Sequence, residues 1–184
     1  MLNRIRDRNI WIVNVTILLV GLSSGMAISV LSVYLYGQGY TKTDIGWLAA
    51  IFASGIAVSA VVVGKLSSTV SPKVVLVGSL ALYALTLGLF PASVVGFHWI
   101  ALDRVFDGAA AAGIWVSCET ILLSRAENKN KAFVTSIYAT SIAIGYLLGP
   151  FASRGIVAFS TMMVAVEVAA AVMALTAVGV ALPL

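Results

Sequence analysis

Three ionisable side chains, Asp103, Arg104 and Asp107, lie within the apolar stretch ALDRVFDGAAAAGIW, which covers residues 101–115. In a helix, Arg104 and Asp107 are one turn apart and can pair, and Asp103 lies one turn before Asp107. A charged side chain inside a membrane span costs ~2.5 kcal/mol or more, so this group is a candidate for binding a solute or exchanging a proton. The alternative is a structural ion pair that holds neighbouring helices in register.

The helical repeat extends this polar group along one face of the helix. At about 100° per residue, Arg104 shares its face with Asp107, Gly108, Ala111, Trp115 and Glu119. We expect this face to meet other helices or a water-filled cavity, because it is too polar for lipid. Glu119 lies about 22 Å farther along the helix, beyond the reach of Arg104 and near the inner end. Asp103 points farther round, and it is the charged residue that we expect at the outer membrane interface, near His98.

Two more polar side chains lie within long apolar segments. Glu167 is near the middle of the last segment without a charged neighbour, so we expect it to be protonated, paired with another helix, or a proton carrier. Asn14 belongs to a small and polar face of the first segment, which suits the wall of a watery cavity and ordinary helix packing equally well. The other residues of that face are Gly21, Gly25, Ser29, Ser32 and Tyr36.

Residue patterns typical of enzymes and metal proteins are absent from the sequence. The single histidine, His98, stands beside Trp99, and the single cysteine, Cys118, lies in an apolar run. No cluster of metal ligands, Ser/His/Asp arrangement or glycine-rich phosphate loop is evident. The sequence therefore predicts a protein that is not an enzyme and binds no metal or cofactor. Paired Asn-Pro-Ala boxes are also absent, which argues against an aquaporin-type channel.

The composition indicates the elements that position these residues. Hydrophobic residues make up 61% and charged residues 10% of the 184 residues, and the mean hydropathy is +1.07. Since a soluble domain is about half apolar and a quarter charged, we predict an all-α integral membrane protein with six transmembrane helices. The predicted spans form one bundle over residues 1–184 and cover 10–36, 45–63, 74–90, 97–123, 132–153 and 156–184. Thr41 and Asp44 have capping-box spacing at the second helix, and SRG at 153–155 marks the last break.

Lysine and arginine residues in the loops predict the orientation of the bundle. One side carries eight of them: Arg4, Arg6, Arg8, Lys65, Lys73, Arg125, Lys129 and Lys131. The other side carries Lys42 and Arg154. We therefore expect both termini to lie in the cytoplasm. This bias accounts for the net charge of +4, so the charge calls for no nucleic-acid partner, and membrane lipid is the expected surrounding of the helices.

Three local motifs carry a resemblance to a known family. GKLSSTVSPK, between the second and third spans, has Gly64 and Lys73 at the ends of a glycine and basic-residue signature, with Ser68 at its aspartate position. RVFDG has Arg104 and Gly108 at the ends of an R-x-x-x-G pattern. GYLLGPFASRG is similar to a glycine–proline motif of antiporters, carried here by Gly145, Gly149 and Pro150. Together these motifs resemble the N-terminal half of a Major Facilitator Superfamily carrier.

The resemblance implies a particular architecture. It implies two inverted three-helix repeats, helices one to three and four to six, which form half of the family's fold. It also implies a central cavity that helices one and four line, with access alternating between the two sides of the membrane. Residues 113–132 are similar to a group of poorly characterised bacterial carriers, which draws attention to Trp115 and Glu119 and implies the bacterial inner membrane.

We therefore predict secondary active transport of a small-molecule substrate, coupled to protons as an antiporter or symporter. Because six helices are half a carrier, this hypothesis requires a C-terminal half or a homodimer partner. The end of the chain at VGVALPL favours a truncated product or a fragment over a half-size dimeric carrier. The alternative hypothesis is a non-transporting half-bundle that serves as a membrane scaffold or partner subunit.

Overall fold

The computed structural model describes residues 8–182, and the regular structure within that range is helical. The six long helices are α1 Arg8–Gly37, α2 Lys42–Leu66, α3 Pro72–Ser93, α4 Phe97–Arg125, α5 Lys131–Val157 and α6 Met162–Ala181. Each is long and apolar enough to cross a membrane, and a short 3₁₀ turn, Asn128–Asn130, precedes α5. The prediction of an all-α membrane protein with six transmembrane helices is confirmed.

Short connections make successive helices antiparallel, so the bundle has two ends. We call the end where α1 begins and α6 finishes the proximal end, and the end with the α1–α2, α3–α4 and α5–α6 turns the distal end. The predicted capping box stabilises the distal start of α2. Thr41 Oγ1 accepts a hydrogen bond from the Asp44 backbone nitrogen at 3.1 Å, and Asp44 Oδ2 accepts one from the Thr41 nitrogen at 2.9 Å.

The last break between helices lies beyond the predicted SRG sequence. α5 continues through Arg154 to Val157, and α6 begins at Met162. An arginine in the last turn of a helix favours the helix C-terminus, so Arg154 does not interrupt α5. The helix start is instead marked by Thr161, whose hydroxyl accepts a hydrogen bond from the Val164 nitrogen at 3.3 Å. Residues 1–7, with Arg4 and Arg6 of the orientation argument, and residues 183–184 of the predicted sixth span lie outside the described residues.

The packing of the helices follows an inverted repeat. α1 packs along α5, and α4 packs along α2; α3 packs on α4, and α6 packs on α1. α3 and α6 also contact each other. The contacts are therefore symmetric when α1, α2 and α3 are exchanged with α4, α5 and α6. The α1–α5 contact corresponds to the α4–α2 contact, the α3–α4 contact to the α6–α1 contact, and the α3–α6 contact to itself. The predicted pair of inverted three-helix repeats is confirmed, with α1 and α4 as the most buried helices.

Glycine residues bring two helix pairs into backbone contact. A Cβ atom added at Gly25 of α1 would lie 2.9 Å from the Tyr146 carbonyl oxygen of α5. In the second pair, a Cβ atom at Gly55 of α2 would lie 2.7 Å from the Val105 carbonyl oxygen of α4. The glycine residues that meet at these two crossings are Gly21, Gly25, Gly145 and Gly149 in the first and Gly55 and Gly108 in the second. No larger residue fits there without displacing backbone.

These contacts decide between the two interpretations of the polar face on α1. Gly21 and Gly25 lie buried against α5, and the Ser29 hydroxyl lies 3.0 Å from the Ser153 hydroxyl of α5. This part of the face therefore serves helix packing. Only its distal end, at Ser32 and Tyr36, is exposed.

Candidate functional site

A single guanidinium group bridges two carboxylates on α4. Arg104 Nη2 lies 2.9 Å from Asp103 Oδ2, and Arg104 Nη1 lies 2.6 Å from Asp107 Oδ2. All three side chains are largely buried, with exposed fractions of 13% for Arg104, 8% for Asp103 and 1% for Asp107. We call these three residues the ion cluster. Because it holds two carboxylates and one guanidinium, it carries an excess negative charge when both acids are ionised.

Asp103 is buried and paired with Arg104, so it does not stand apart from the other two charged residues as the sequence suggested. The helical repeat turns its Cα–Cβ bond away from that of Arg104, but the arginine side chain is long enough to curl back to it. α3 packs on that side of α4 and buries the carboxylate. Asp103 is therefore part of the ion cluster.

α3 supplies the side chains that hold the ion cluster in place. Thr86 Oγ1 donates a hydrogen bond to Asp107 Oδ1 at 3.2 Å. The Phe90 ring centroid lies 5.6 Å from Arg104 Cζ, within the range of a cation–π interaction. Tyr83, one turn before Thr86, is buried, and its hydroxyl lies 3.1 Å from the Ser24 hydroxyl of α1. These residues were not among the candidates that the sequence indicated, although their spacing places them on one face of α3.

A cavity of about 200 Å³ adjoins the ion cluster between α1, α2 and α4. Its polar side chains include Tyr83, Arg104 and Asp107, and much of the remaining wall is apolar. That wall includes Ile28, Leu31 and Leu35 of α1 and Ile45, Leu48 and Phe52 of α2. An apolar pocket with a few convergent polar groups is the usual form of a small-molecule site. The cavity has α1 and α4 in its wall, as the family resemblance implied.

The other candidate residues lie away from the ion cluster. Glu119 is exposed, about 22 Å along α4 from Arg104. Asn14 is buried in α1, where Nδ2 donates to the Ile10 carbonyl oxygen at 2.8 Å. Within residues 8–182, no hydrogen bond reaches Asn14 Oδ1. Glu167 is not near the middle of its helix: because α6 begins at Met162, Glu167 lies in the second turn from the distal end, where it is exposed.

The residues of the three family motifs lie in different environments, some in tight helix crossings and others at open positions. Gly108, Gly145 and Gly149 form the two glycine crossings, where backbone contact requires them. Gly64, near the end of α2, has nothing within 4 Å of an added Cβ atom, and Lys73 lies in the first turn of α3. Pro150 lies within α5 and its carbonyl oxygen accepts a hydrogen bond from Ser153 Oγ at 3.0 Å.

The sequence of this chain is similar to one known protein family and to two characterised proteins. Residues 13–184 match the family described as Major Facilitator Superfamily. The quinolone resistance protein NorA of Staphylococcus aureus is 26% identical over 144 residues, which cover 78% of this chain and 37% of that protein. The multidrug resistance protein MdtG of Enterobacter lignolyticus is 28% identical over 141 residues, which cover 74% of this chain and 33% of that protein. The chain thus spans about a third of the length of these curated relatives.

Proposed function

The chain belongs to the Major Facilitator Superfamily, and from this membership we propose that it takes part in secondary transport of a small organic solute. Membership in a superfamily of carriers also agrees with the sequence analysis that the chain is a multi-pass membrane protein and no enzyme. The observation that carries the proposal is the ion cluster, in which a buried arginine holds two carboxylates beside a cavity. Such charges inside a membrane span mark a pathway for a solute or a proton.

The proposed solute is a drug-sized organic molecule that the carrier exports. The names of the relatives, a quinolone resistance protein and a multidrug resistance protein, support this class. A drug-sized ligand occupies a pocket of about 300–1,000 Å³, and the cavity beside Arg104 holds about 200 Å³. In the proposal, the rest of the pocket comes from a second six-helix half.

The second half is proposed to pack on α2 and α5. Within the bundle, only 11% of the residues in the most apolar stretch of α2 and 22% of those in α5 are buried. The corresponding share is 61% in α1 and in α4. The partner is either a C-terminal half or another copy of this chain, and rocking of the two halves would open the cavity to each side in turn. We place the proximal end in the cytoplasm, as the lysine and arginine residues predict.

Proton coupling is proposed for the two acids of the ion cluster. Arg104 can compensate one carboxylate fully, so the second gains from binding a proton or a cationic solute. Exchange of a proton for a cationic solute at the second carboxylate would couple export to proton entry. Glu119, Glu167 and Asn14 stay candidates for proton coupling or substrate contact elsewhere along the pathway.

Transport of a quinolone into proteoliposomes with an imposed proton gradient tests the proposal. We expect Arg104→Ala to reduce flux to background while the protein still inserts into the membrane. Arg154→Ala removes an exposed arginine at the distal end of α5 and is the matched control, which we expect to retain flux. Wild-type flux in the Arg104 variant would reject a role of this residue in the site.

The particle mass in detergent tests the requirement for a second half. We expect a particle that contains at least two six-helix bundles when the chain transports on its own. A strictly monomeric bundle could not enclose a cavity with two gates. That result would favour the alternative function, a half-bundle that serves as a membrane scaffold or partner subunit.

A further inference from the structure

A groove of about 490 Å³ runs between α3 and α4 on the outside of the bundle. Exposed apolar side chains form much of it, among them Leu85 and Leu89 of α3 and Trp99 and Phe106 of α4. The groove shares no lining residue with the cavity beside Asp107, so the two are separate spaces. The volume is sufficient for a drug-sized molecule.

Asp103 gives this apolar groove a charged lining residue. The ion cluster therefore adjoins both spaces, with Asp107 in the wall of the cavity and Asp103 in the wall of the groove. Arg104 bonds Asp103 through Oδ2 only, and no hydrogen bond from residues 8–182 is shown for the other oxygen. Asp107, in contrast, is bonded through both oxygens, by Arg104 and by Thr86.

We propose that the α3–α4 groove is a second binding site, which takes an organic amine with its ammonium group on Asp103 and its apolar body on α3 and α4. The charges favour a cation, because the ion cluster has one more carboxylate than guanidinium and the groove itself contains no lysine or arginine. A carboxylate that is partly shielded from water binds an ammonium group through a charge-assisted hydrogen bond. This site is separate from the proposed transport cavity and does not depend on transport.

The depth of Asp103 distinguishes an organic amine from a lipid headgroup. Asp103 lies six residues into α4, about 9 Å from its first residue, and one turn deeper than Trp99. An exposed tryptophan near a helix end marks the level of the headgroups. A phospholipid amine stays near that level, whereas an amine attached directly to an apolar body can enter the groove to the depth of the carboxylate.

Photolabelling of the purified protein in nanodiscs tests the proposal. The probe is a primary alkylamine that carries a diazirine on its chain, and the neutral comparison is the N-acetyl derivative of the same probe. We expect saturable labelling of the peptides that contain residues 82–106. The acetylated probe should require about a tenfold higher concentration, as expected when a hydrogen bond to a charged group is lost.

Matched variants test whether Asp103 is the residue that binds the ammonium group. Asp103→Asn should weaken labelling by the amine about tenfold and leave labelling by the acetylated probe unchanged, whereas Asp103→Glu should retain it. Asp44→Asn changes a carboxylate in the first turn of α2, outside the groove, and should have no effect. Ala92→Trp, at an exposed position of the groove, should block both probes without altering the ion cluster, and it decides the matter if Asp103→Asn does not fold.

Three outcomes would overturn the proposal. Equal labelling by the amine and the acetylated probe would show an apolar surface without a charged anchor. Labelling of α1 and α2 peptides in place of α3 and α4 peptides would assign the amine to the cavity beside Asp107. Displacement of the probe by phosphatidylethanolamine in the nanodisc would assign the groove to a lipid headgroup. None of these outcomes bears on quinolone flux, so failure here is distinct from failure of the transport proposal.

Discussion

Two grooves on opposite faces of the inverted repeat share their shape and differ in their chemistry. The α3–α4 groove toward the distal end and the α1–α6 groove toward the proximal end each have a volume of about 490 Å³. Gly108 of α4 and Gly21 of α1 occupy equivalent places at the two glycine crossings. The positions of the ion cluster, counted from these glycines, correspond to Thr16, Ile17 and Val20 in α1, which are all buried.

This difference indicates what the ion cluster is for. The first repeat packs its central helix with a threonine and two apolar residues at the positions where the second repeat has Asp103, Arg104 and Asp107. Charge is therefore not needed where the first helix of one repeat packs on the third helix of the other. A structural ion pair is the weaker explanation of the cluster, since a buried pair seldom adds more stability than apolar residues of similar size.

The largest effect should come from the feature that the two repeats share. Gly108→Val and Gly145→Val each force side-chain atoms into the backbone of the facing helix, so we expect neither variant to yield a folded, monodisperse particle. Size-exclusion chromatography in mild detergent measures this. Gly64→Ala is the control, because an added Cβ atom meets nothing there, and it should elute like the unchanged protein. A folded Gly108 variant beside an unfolded Gly145 variant would show that the two crossings are not equivalent.

The next effect separates charge from packing in the second repeat. Arg104→Ile alone leaves two buried acids without their partner and should lower the free energy of unfolding by roughly 3–5 kcal/mol. The triple variant Asp103→Thr, Arg104→Ile, Asp107→Val copies the first repeat, and we expect it to recover stability to within ~1 kcal/mol of the unchanged protein.

Unfolding by SDS titration measures both values, and quinolone flux measures the proposed transport. The triple variant should be folded and inactive, which is the result expected of a functional cluster. If it unfolds as readily as Arg104→Ile, the ion cluster is structural and the comparison between the repeats fails.

The smallest effect on the free energy of unfolding should come from replacing either of two threonines at equivalent positions in the two repeats. Thr86 and Thr176 each stand fourteen residues after the first residue of α3 and α6, respectively. The Thr86 hydroxyl shares its proton between the Tyr83 carbonyl oxygen of its own helix, at 2.9 Å, and Asp107 Oδ1, at 3.2 Å, whereas Thr176 donates to the Val172 carbonyl oxygen of its own helix. We expect Thr86→Val to lower the free energy of unfolding by about 2 kcal/mol and Thr176→Val by about 0.5 kcal/mol. Equal losses in the same SDS titration would contradict a special role for Thr86.

Features that depend on neighbouring residues in the chain were predictable. Apolar segments and the lysine and arginine breaks predict six helices, and Thr41 with Asp44 predicts a capping box, because both signals are local. The pairing of Arg104 with Asp107 also follows from one helical turn. The break at 158–161 was missed because it contains no glycine or proline, so only the Thr161 cap marks it.

Features that depend on contacts between helices could not be read from spacing alone. Phe90 and Thr86 reach the ion cluster only because α3 packs on α4, and nothing in their sequence distinguishes them from other residues of an apolar helix. The same packing buries Asp103. On α1, a face of glycine and serine suited a cavity and a packed interface alike, and the position of α5 decided between them.

The crossing at Gly108 also has the geometry of a fulcrum for α4. Arg104 lies four residues, or about 6 Å, from this glycine, whereas Arg125 at the other end of α4 lies about 26 Å away. If α4 pivots by about 10° on α2, the Arg104 backbone moves by roughly 1 Å and the end of the helix by roughly 4.5 Å. The lever is thus short at the charged residues and long at the proximal end of α4, so in the carrier that we propose this end would swing while the ion cluster stays almost still.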